Sequence, residues 1–407
     1  MEIGAHPESF RGRLRFHCPP GRGLAGADSG GLRPPREDTI GCLRFFRRLL
    51  PVLGVAFLVS CQTTQSGSRS ASKSYSRPPS NEFRGAWVYD PRRFDPDEVV
   101  ASLKKAGFNA VFVRLSSAGA AYYPSDVLPK APGTHEDYAQ AYADAGRKYG
   151  VKIHAWHVCF MMHNAPSATI NAAIKKGEVM RDSRGRALRP TYNVPVRTPA
   201  LASNRLLERR AMVELVEKYP LDGVQFDYVR YFSPSVDYSA TSRAAFEKAI
   251  EAKVKKWPSD VISGRLKEEY QQWRVDLISS MVRDVSRAVK EANPRAKVSA
   301  AVWHTPEVGL RDYAQDWPKW VQEGYLDFVV PMNYTPDNNL LGRWIDNQKD
   351  LVNGRIPIYA GLGSYMLNRP DQLNNQIETC RRAGLPGYVL YNYDERLEAR
   401  FLSDIPN

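Results

Sequence analysis

Nowhere does this 407-residue chain string together the roughly 20 apolar residues that a bilayer-spanning helix takes, so a stable transmembrane anchor is not expected. Cysteine is scarce and unpaired in spacing: Cys18, Cys42, Cys61, Cys159 and Cys380 suggest neither a disulfide framework nor a zinc ribbon. No Lys/Arg run concentrates the formal charge of +13, so nucleic-acid binding is not expected. No Gly-rich phosphate turn follows the first apolar strand, which argues against a nucleotide-binding fold. There is no His-rich metal motif, which disfavours deacetylase chemistry, and no internal repeat beyond a strand–helix unit. What is present is ample for a large core: 43% of the residues are hydrophobic and 25% charged.

The amino-terminal part has its own logic. Arg44-Phe45-Phe46-Arg47-Arg48 precedes an apolar run from Leu49 to Ser60, and Cys61 follows. A basic n-region followed by a short apolar h-region reads as an export signal at 43–60. Leu58-Val59-Ser60-Cys61 resembles a bacterial lipobox, which would make Cys61 the lipidated first residue; Gln62 resembles an outer-membrane sorting residue. Residues 1–42, rich in Gly, Pro and Arg and without periodicity, lengthen the n-region beyond the usual 15–30 residues. They read as an unstructured extension or a mis-assigned start. The Ser-rich stretch 61–82 reads as a flexible tether and 83–407 as the folded domain.

Within that domain, apolar strand patterns alternate with helical ones. Strands are expected at Gly85–Tyr89, Ala110–Leu115, Lys152–Val158, Leu221–Phe226, Lys297–Trp303, Phe328–Met332, Ile356–Leu362 and Gly387–Tyr391. Helices are expected at Pro96–Ala106, Glu136–Tyr149, Asn204–Lys218, Arg265–Ala292, Pro318–Glu323, Leu341–Leu351, Asp371–Arg382 and Glu395–Phe401. Tyr270, Trp273, Leu277, Met281, Val285 and Ala288 form one apolar stripe on the fourth helix. Eight βα units predict an α/β fold, the (β/α)8 or TIM barrel, with long loops after strands 3 and 4; an open doubly wound sheet is the alternative.

The fourth strand organises the rest. In Leu221-Asp222-Gly223-Val224-Gln225-Phe226-Asp227, alternation sends Val224 and Phe226 towards packed helices, and Gly223, Gln225 and Asp227 inward. Asp227 then stands at the carboxyl end, where barrel enzymes build their sites, although an acid there also serves as a helix cap or pairs with Arg230. The other strand ends contribute Tyr89, Arg114, His157, Trp303, Asn333, Tyr334, Tyr391 and Asn392, with Tyr122, Tyr228 and Arg230 close by. Aromatic faces stack on sugar rings and polar tips bond hydroxyls, so this gathering around one acid predicts a carbohydrate cleft. Without metal-ligand spacing no metal or other cofactor is expected, because His154 and His157 face opposite sides of their strand. His157 is expected to donate to substrate or orient Asp227, or to be a satisfied buried histidine. Glycosidic hydrolysis generally needs a second carboxyl group. Glu307, in the loop Trp303-His304-Thr305-Pro306-Glu307, is the first choice, ahead of Asp337 and Asp394; participation by a substrate N-acetyl group is a third route.

Several segments together resemble the bacterial glycosyl-hydrolase-like family ten. They are Phe83-Arg84-Gly85-Ala86-Trp87-Val88, Gly107 to Arg114, Ala121-Tyr122-Tyr123-Pro124-Ser125, His154-Ala155-Trp156, Leu221 to Tyr231, and Asp327 to Tyr334. The resemblance implies a barrel hydrolase with Asp227 as leading acid and with Arg114, Arg230 and Tyr334 lining the site. It also implies a cell-wall glycan substrate, including peptidoglycan strands stripped of peptides. The fourth strand also looks like the chitinase pattern Asp-Gly-x-Asp-x-Asp-x-Glu but departs from it at Gln225 and Val229, the latter where the chitinase acid would stand. The expectation is therefore a lipid-anchored glycoside hydrolase facing the periplasm from the outer membrane, with peptide-poor peptidoglycan as substrate. The rivals are a non-catalytic glycan-binding lipoprotein and a glycosidase for extracellular polysaccharide.

Overall fold

The computed structural model describes residue 75 and residues 78–190 and 193–406. The expected signal, Cys61 and most of the tether lie outside the described residues. Among the described residues no helix is long and apolar enough to cross a membrane.

The strands are β1 (Phe83–Val88), β2 (Ala110–Ser117), β3 (Ala120–Ala121), β4 (Lys152–Val158), β5 (Gly223–Asp227), β6 (Lys297–Val302), β7 (Phe328–Pro331), β8 (Ala360–Gly363) and β9 (Gly387–Tyr391). All but β3 run parallel, in the order β7-β6-β5-β4-β2-β1-β9-β8; β3 is a two-residue antiparallel partner of β2. The ends of this path meet through the bridges Val329–Ile358 and Met332–Gly361, and the Tyr359 amide donates to the Val329 carbonyl at 3.0 Å. The result is a nearly closed eight-stave barrel with interleaved helices, as expected from the eight βα units.

Those helices are α1 (Pro96–Lys105), α2 (Tyr138–Tyr149), α3 (Ser167–Lys175), α4 (Ala202–Lys218), α5 (Ala240–Ala249), α6 (Ser259–Ile262), α7 (Lys267–Ala292), α8 (Pro306–Tyr313), α9 (Trp317–Gln322), α10 (Asn338–Val352), α11 (Pro370–Arg382) and α12 (Glu395–Arg400). Local signals account for many boundaries. Asp95 caps α1 through the Asp97 and Glu98 amides, Asp337 caps α10, and α2 stops at Gly150, whose φ of 64° suits a residue without a Cβ. The two long excursions are not bare loops, since α3 lies in one and α5 and α6 in the other. The latter pair, with Tyr238, Val254, Leu266 and Tyr270, encloses a small satellite core.

Alternation divides the apolar strand residues into two layers. Outward-facing residues such as Val111, Val113, Ile153, Val224, Phe226 and Val298 join the helices in the main core. Inward-facing ones, including Trp87, Phe112, Trp156, Phe328, Val330 and Val389, fill the barrel. At the barrel floor Phe83 stacks on Tyr359 at 4.0 Å between ring centroids, and Phe112 on His154 at 4.8 Å. One level up, the Trp87 indole donates to Gln225 at 2.6 Å. Gly223 is required here: a methyl group on it would fall 2.3 Å from the Lys297 carbonyl oxygen.

On α7 the buried face is rotated from the predicted stripe. Tyr270, Met281 and Val285 are buried as expected, but Val275, Ile278, Val282 and Val289 share the centre of that face, while Trp273, Leu277 and Ala288 are half-buried at its edge. Over 26 residues a single-row reading drifts around the helix, whereas contact with α4 holds the wider face.

Candidate active site

β5 brings Asp227 to the mouth, 5% exposed and side by side with Val158 on β4. Its two oxygens each accept one hydrogen bond: Oδ2 from the Trp156 indole at 3.0 Å, and Oδ1 from the Tyr228 amide at 2.7 Å. Just past it the chain turns sharply, and Tyr228 adopts the left-handed conformation with φ 53°. Burial pushes the Asp227 carboxyl up to about 6, against the opposing pull of Arg230, these two hydrogen bonds and Arg114. Such a group exchanges its proton near neutrality, as a general acid or base must.

Three walls surround it. On the first, Arg114 lies over the Tyr89 ring at 3.8 Å and donates to His163 Nδ1 at 3.0 Å and to the Tyr122 hydroxyl at 3.1 Å. Burial, aided by Arg114, pushes His163 down to about 3, so the imidazole is neutral. Arginine can only donate; Nδ1 therefore accepts, and Nε2–H faces the Tyr89 hydroxyl at 2.9 Å. On the second wall, Arg230 sits among Tyr228, Phe232, Trp303 and Tyr313, 4.6–5.5 Å from their ring centroids. On the third, Tyr334 stacks on Tyr391 at 5.5 Å, and Tyr365 meets both edge-on. Burial raises the Tyr334 phenol well above the usual range, reinforced by Tyr391 and Asp227, so it remains a donor.

Of the residues expected at the mouth, Tyr89, Arg114, Asp227, Tyr228, Arg230, Trp303, Tyr334 and Tyr391 belong to these walls. Tyr122 is buried beneath Arg114, where it also receives a hydrogen bond from Asn164, and supports rather than lines the cleft. Asn392 is half-buried, and its side chain donates to the Tyr393 carbonyl at 3.0 Å.

Three expectations are corrected. His157 faces away from the cleft into the helical shell, fully buried, with Nε2 2.6 Å from Glu208 on α4 and Nδ1 2.7 Å from Ser116. It neither touches nor orients Asp227, and the satisfied-histidine alternative describes it. Ordinary alternation puts it there, on the side of β4 opposite Trp156 and His154; the bulge after Arg114 on β2 shifts the register so that Ser116 pairs with His157, whereas Arg114 pairs with Trp156. Asn333 is also turned away, exchanging two side-chain hydrogen bonds with Gln348 on α10 at 3.2 and 2.7 Å. Glu307 is not in a loop; it is exposed in the first turn of α8, where an acid suits the helix dipole. Asp337 and Asp394, the other two acids, cap α10 and α12.

Sequence reasoning left out several residues that the structure brings in. Trp156 shares its strand face with His154, so alternation alone was a usable signal. His163, Phe232, Tyr313 and Tyr365 arrive from loops and a helix end with no local signature. Asp90, one residue past Tyr89, is the acid on the Arg114 side. Burial works to raise it, but bidentate contact with Arg92 at 2.7–2.9 Å, aided by Arg114, holds it below the usual range and hence ionised.

One group of three buried metal-capable side chains occurs among the described residues: His157, Cys159 and Glu208, with their ligand atoms within 4.8 Å of one another. Glu208 already spends its oxygens on His157 and on the Phe160 amide at 3.0 Å, and burial first, then Glu208 and Asp227, holds the Cys159 thiol protonated. That donor set is a hydrogen-bonded strut behind the site and does not suit a metal, which needs a thiolate and free lone pairs.

A family model described as glycosyl hydrolase-like 10 matches residues 82–378. The chain is 24% identical over 392 residues to the glycosyl hydrolase DigH of Escherichia coli K12, covering 80% of this chain and 85% of that one. It is 23% identical over 332 residues to the glycosyl hydrolase YngK of Bacillus subtilis, covering 71% of this chain and 60% of that one. Among solved structures, the glycoside hydrolase domain of PgaB from Bordetella bronchiseptica superposes with a TM-score of 0.60 at 16% identity, covering 78% of this chain and 95% of that one, a likeness of fold.

Proposed function

The chain belongs to the glycosyl hydrolase-like 10 family, and on that premise we propose that it is a glycoside hydrolase whose acid is Asp227. The observation that carries this reading is a buried carboxyl with its pKa near 6, held at the carboxyl end of β5 by Trp156 and Tyr228 and walled by two arginines and several aromatic rings. In the proposed step the Asp227 proton passes to the glycosidic oxygen as the bond from that oxygen to the anomeric carbon breaks; the oxygen of one water ends on the anomeric carbon and the proton it releases restores Asp227. Tyr89, Tyr228, Trp303, Tyr334 and Tyr391 supply faces and hydroxyls for the sugars.

The substrate proposed is an envelope polysaccharide, with peptide-poor peptidoglycan strands first. The lipobox-like Leu58-Val59-Ser60-Cys61 and the Ser-rich tether support a protein lipidated at Cys61 and held on the periplasmic face of the outer membrane. Because Glu307, Asp337 and Asp394 all serve helix ends and Asp90 is engaged by Arg92 through both oxygens, a second reading of the chemistry is favoured by the same geometry. In it the carbonyl oxygen of a substrate 2-acetamido group attacks the anomeric carbon, and water then opens the resulting ring.

The test is incubation of the full chain with purified glycan strands, with and without their peptides, beside Asp227→Asn, reading released fragments by mass. Cleavage of bare strands by the wild type alone supports the assignment. Binding without turnover by both proteins identifies a glycan-binding lipoprotein instead, and cleavage confined to unrelated polysaccharides points to an extracellular substrate.

A further inference from the structure

Five arginines are buried among the described residues: Arg84, Arg114, Arg197, Arg230 and Arg274. Four of them have acceptors. Arg84 donates to Glu82 at 2.7 Å, Arg114 to Tyr122 at 3.1 Å, Arg197 to Glu178 at 2.6 Å, and Arg274 to the Pro234 carbonyl at 3.4 Å. Arg230 has none. It is 7% exposed, its Nε is shielded without a partner, and its guanidinium makes no hydrogen bond or ion pair with any described residue. Four aromatic rings enclose it instead. Stacking steadies a guanidinium but supplies no acceptor for its in-plane N–H groups. Burying such a cation without an acceptor is costly, and a fold tolerates it where a ligand completes the site.

The sign of the charge indicates the ligand. Asp227 is the carboxylate that Arg230 acts on, and its proton affinity near neutrality leaves it a poor counter-charge. Arg114 adds a second buried cation on another wall, and Asp90 is already matched by Arg92. The cleft therefore holds more buried positive charge than negative, and the planar fork of arginine matches a carboxylate.

We propose that the Arg230 guanidinium, with its aromatic enclosure, is an anion subsite that takes the carboxylate of an acidic sugar next to the bond being cut. This deepens the glycan-hydrolysing reading and rests on it. In peptidoglycan the carboxyl group of the muramic acid is an amide while the peptide is attached and a free carboxylate once it is removed. Arg230 would thus select strands from which peptides have been cleared. Its occupation has a second effect. Arg230 is the strongest of the influences that lower Asp227, ahead of Tyr228, Trp156 and Arg114, while the neighbouring Tyr334 phenol and Cys159 thiol stay neutral. An anion on Arg230 offsets that influence and keeps the acid protonated when the correct substrate is bound.

The experiment uses the full chain as Asp227→Asn for binding and as wild type for turnover, each with and without Arg230→Gln and Arg230→Lys. Binding probes are N-acetylmuramic acid, its methylamide and N-acetylglucosamine, read by calorimetry. Turnover probes are bare glycan strands before and after carbodiimide coupling to methylamine. The expected result is a preference of about tenfold or more for the free acid in both assays, lost in Arg230→Gln and partly restored in Arg230→Lys. Equal use of acid and amide, unaffected by Arg230→Gln, overturns the subsite and leaves the hydrolase reading standing. Acid-selective binding without turnover supports the subsite and removes the hydrolase reading. No binding of any probe and no cleavage overturns both.

Discussion

Trp156 reaches across from the neighbouring strand to hydrogen-bond Asp227 at 3.0 Å, two residues below the level at which the β4 and β5 backbones pair Val158 with Asp227. The indole donates to the ionised carboxylate and so opposes the burial that raises its pKa. Trp156→Phe removes that donor and keeps the ring. On the proposed function Asp227 is a general acid and works while protonated, so kcat/KM should be full at low pH and fall as pH rises through its pKa. In Trp156→Phe the falling limb moves to higher pH, by up to about one unit for the loss of one such bond. A pH–rate profile on bare glycan strands checks this; a limb moved downward would contradict it.

The same carboxyl leaves a signature in stability. Its folded pKa, about 6, lies above the ordinary 3.8, so the folded protein holds the proton more tightly than the unfolded chain. That contribution is fully present below about pH 4 and is lost as pH rises through about 6, amounting to about 3 kcal/mol. Asp227→Asn cannot ionise and escapes the loss. Its melting temperature should exceed that of wild type at pH 8, with the gap closing below pH 4, as measured by calorimetry across pH.

Glu208 is a structural prediction of a different kind. It is wholly buried on α4, where it holds His157 and the Phe160 amide, and the adjoining Cys159 amide donates to the Asp227 carbonyl at 2.8 Å. Glu208→Ala strands both donors in a dry environment and should cost about 3 kcal/mol or more. Glu208→Gln keeps one acceptor oxygen and should cost less. Denaturant unfolding of the two variants measures the difference.

Glu307→Ala removes an exposed acid from the first turn of α8 and should leave cleavage within about twofold of wild type, since surface changes of this kind are usually small. Asp90→Asn releases Arg92 and changes the field at Arg114 and His163, so a clear loss of kcat/KM is expected. Parallel kinetics of the two variants would separate a helix-surface acid from one at the cleft.

Much of the architecture was legible because strand alternation and helical periodicity are local. β4 and β9 have the expected boundaries, and Asp227 ends β5 with Gln225 and Gly223 on its side of the sheet. Legibility failed at single residues. The bulge at Arg114 brought Ser116 beside His157, which alternation had already turned outward, and pairing with Gln348, 15 residues on, drew Asn333 against α10. Pro306 opened α8 at its first position, converting an expected loop into a helix start and removing Glu307 from contention.

From its order of residues alone the protein declared an eight-unit α/β barrel, an acid at the end of the fourth barrel strand and a surplus of aromatic and cationic side chains near that end. These follow from patterns of two and 3.6 residues and from the chemistry of individual side chains. Only the tertiary structure decided that Trp156 holds Asp227, that His157 serves the shell instead of the cleft, and that among the described residues Arg230 alone of the buried arginines lacks an acceptor. Burial, hydrogen bonding and charge pairing depend on which strands and helices lie side by side, and that information emerges when the barrel brings residues distant in sequence together.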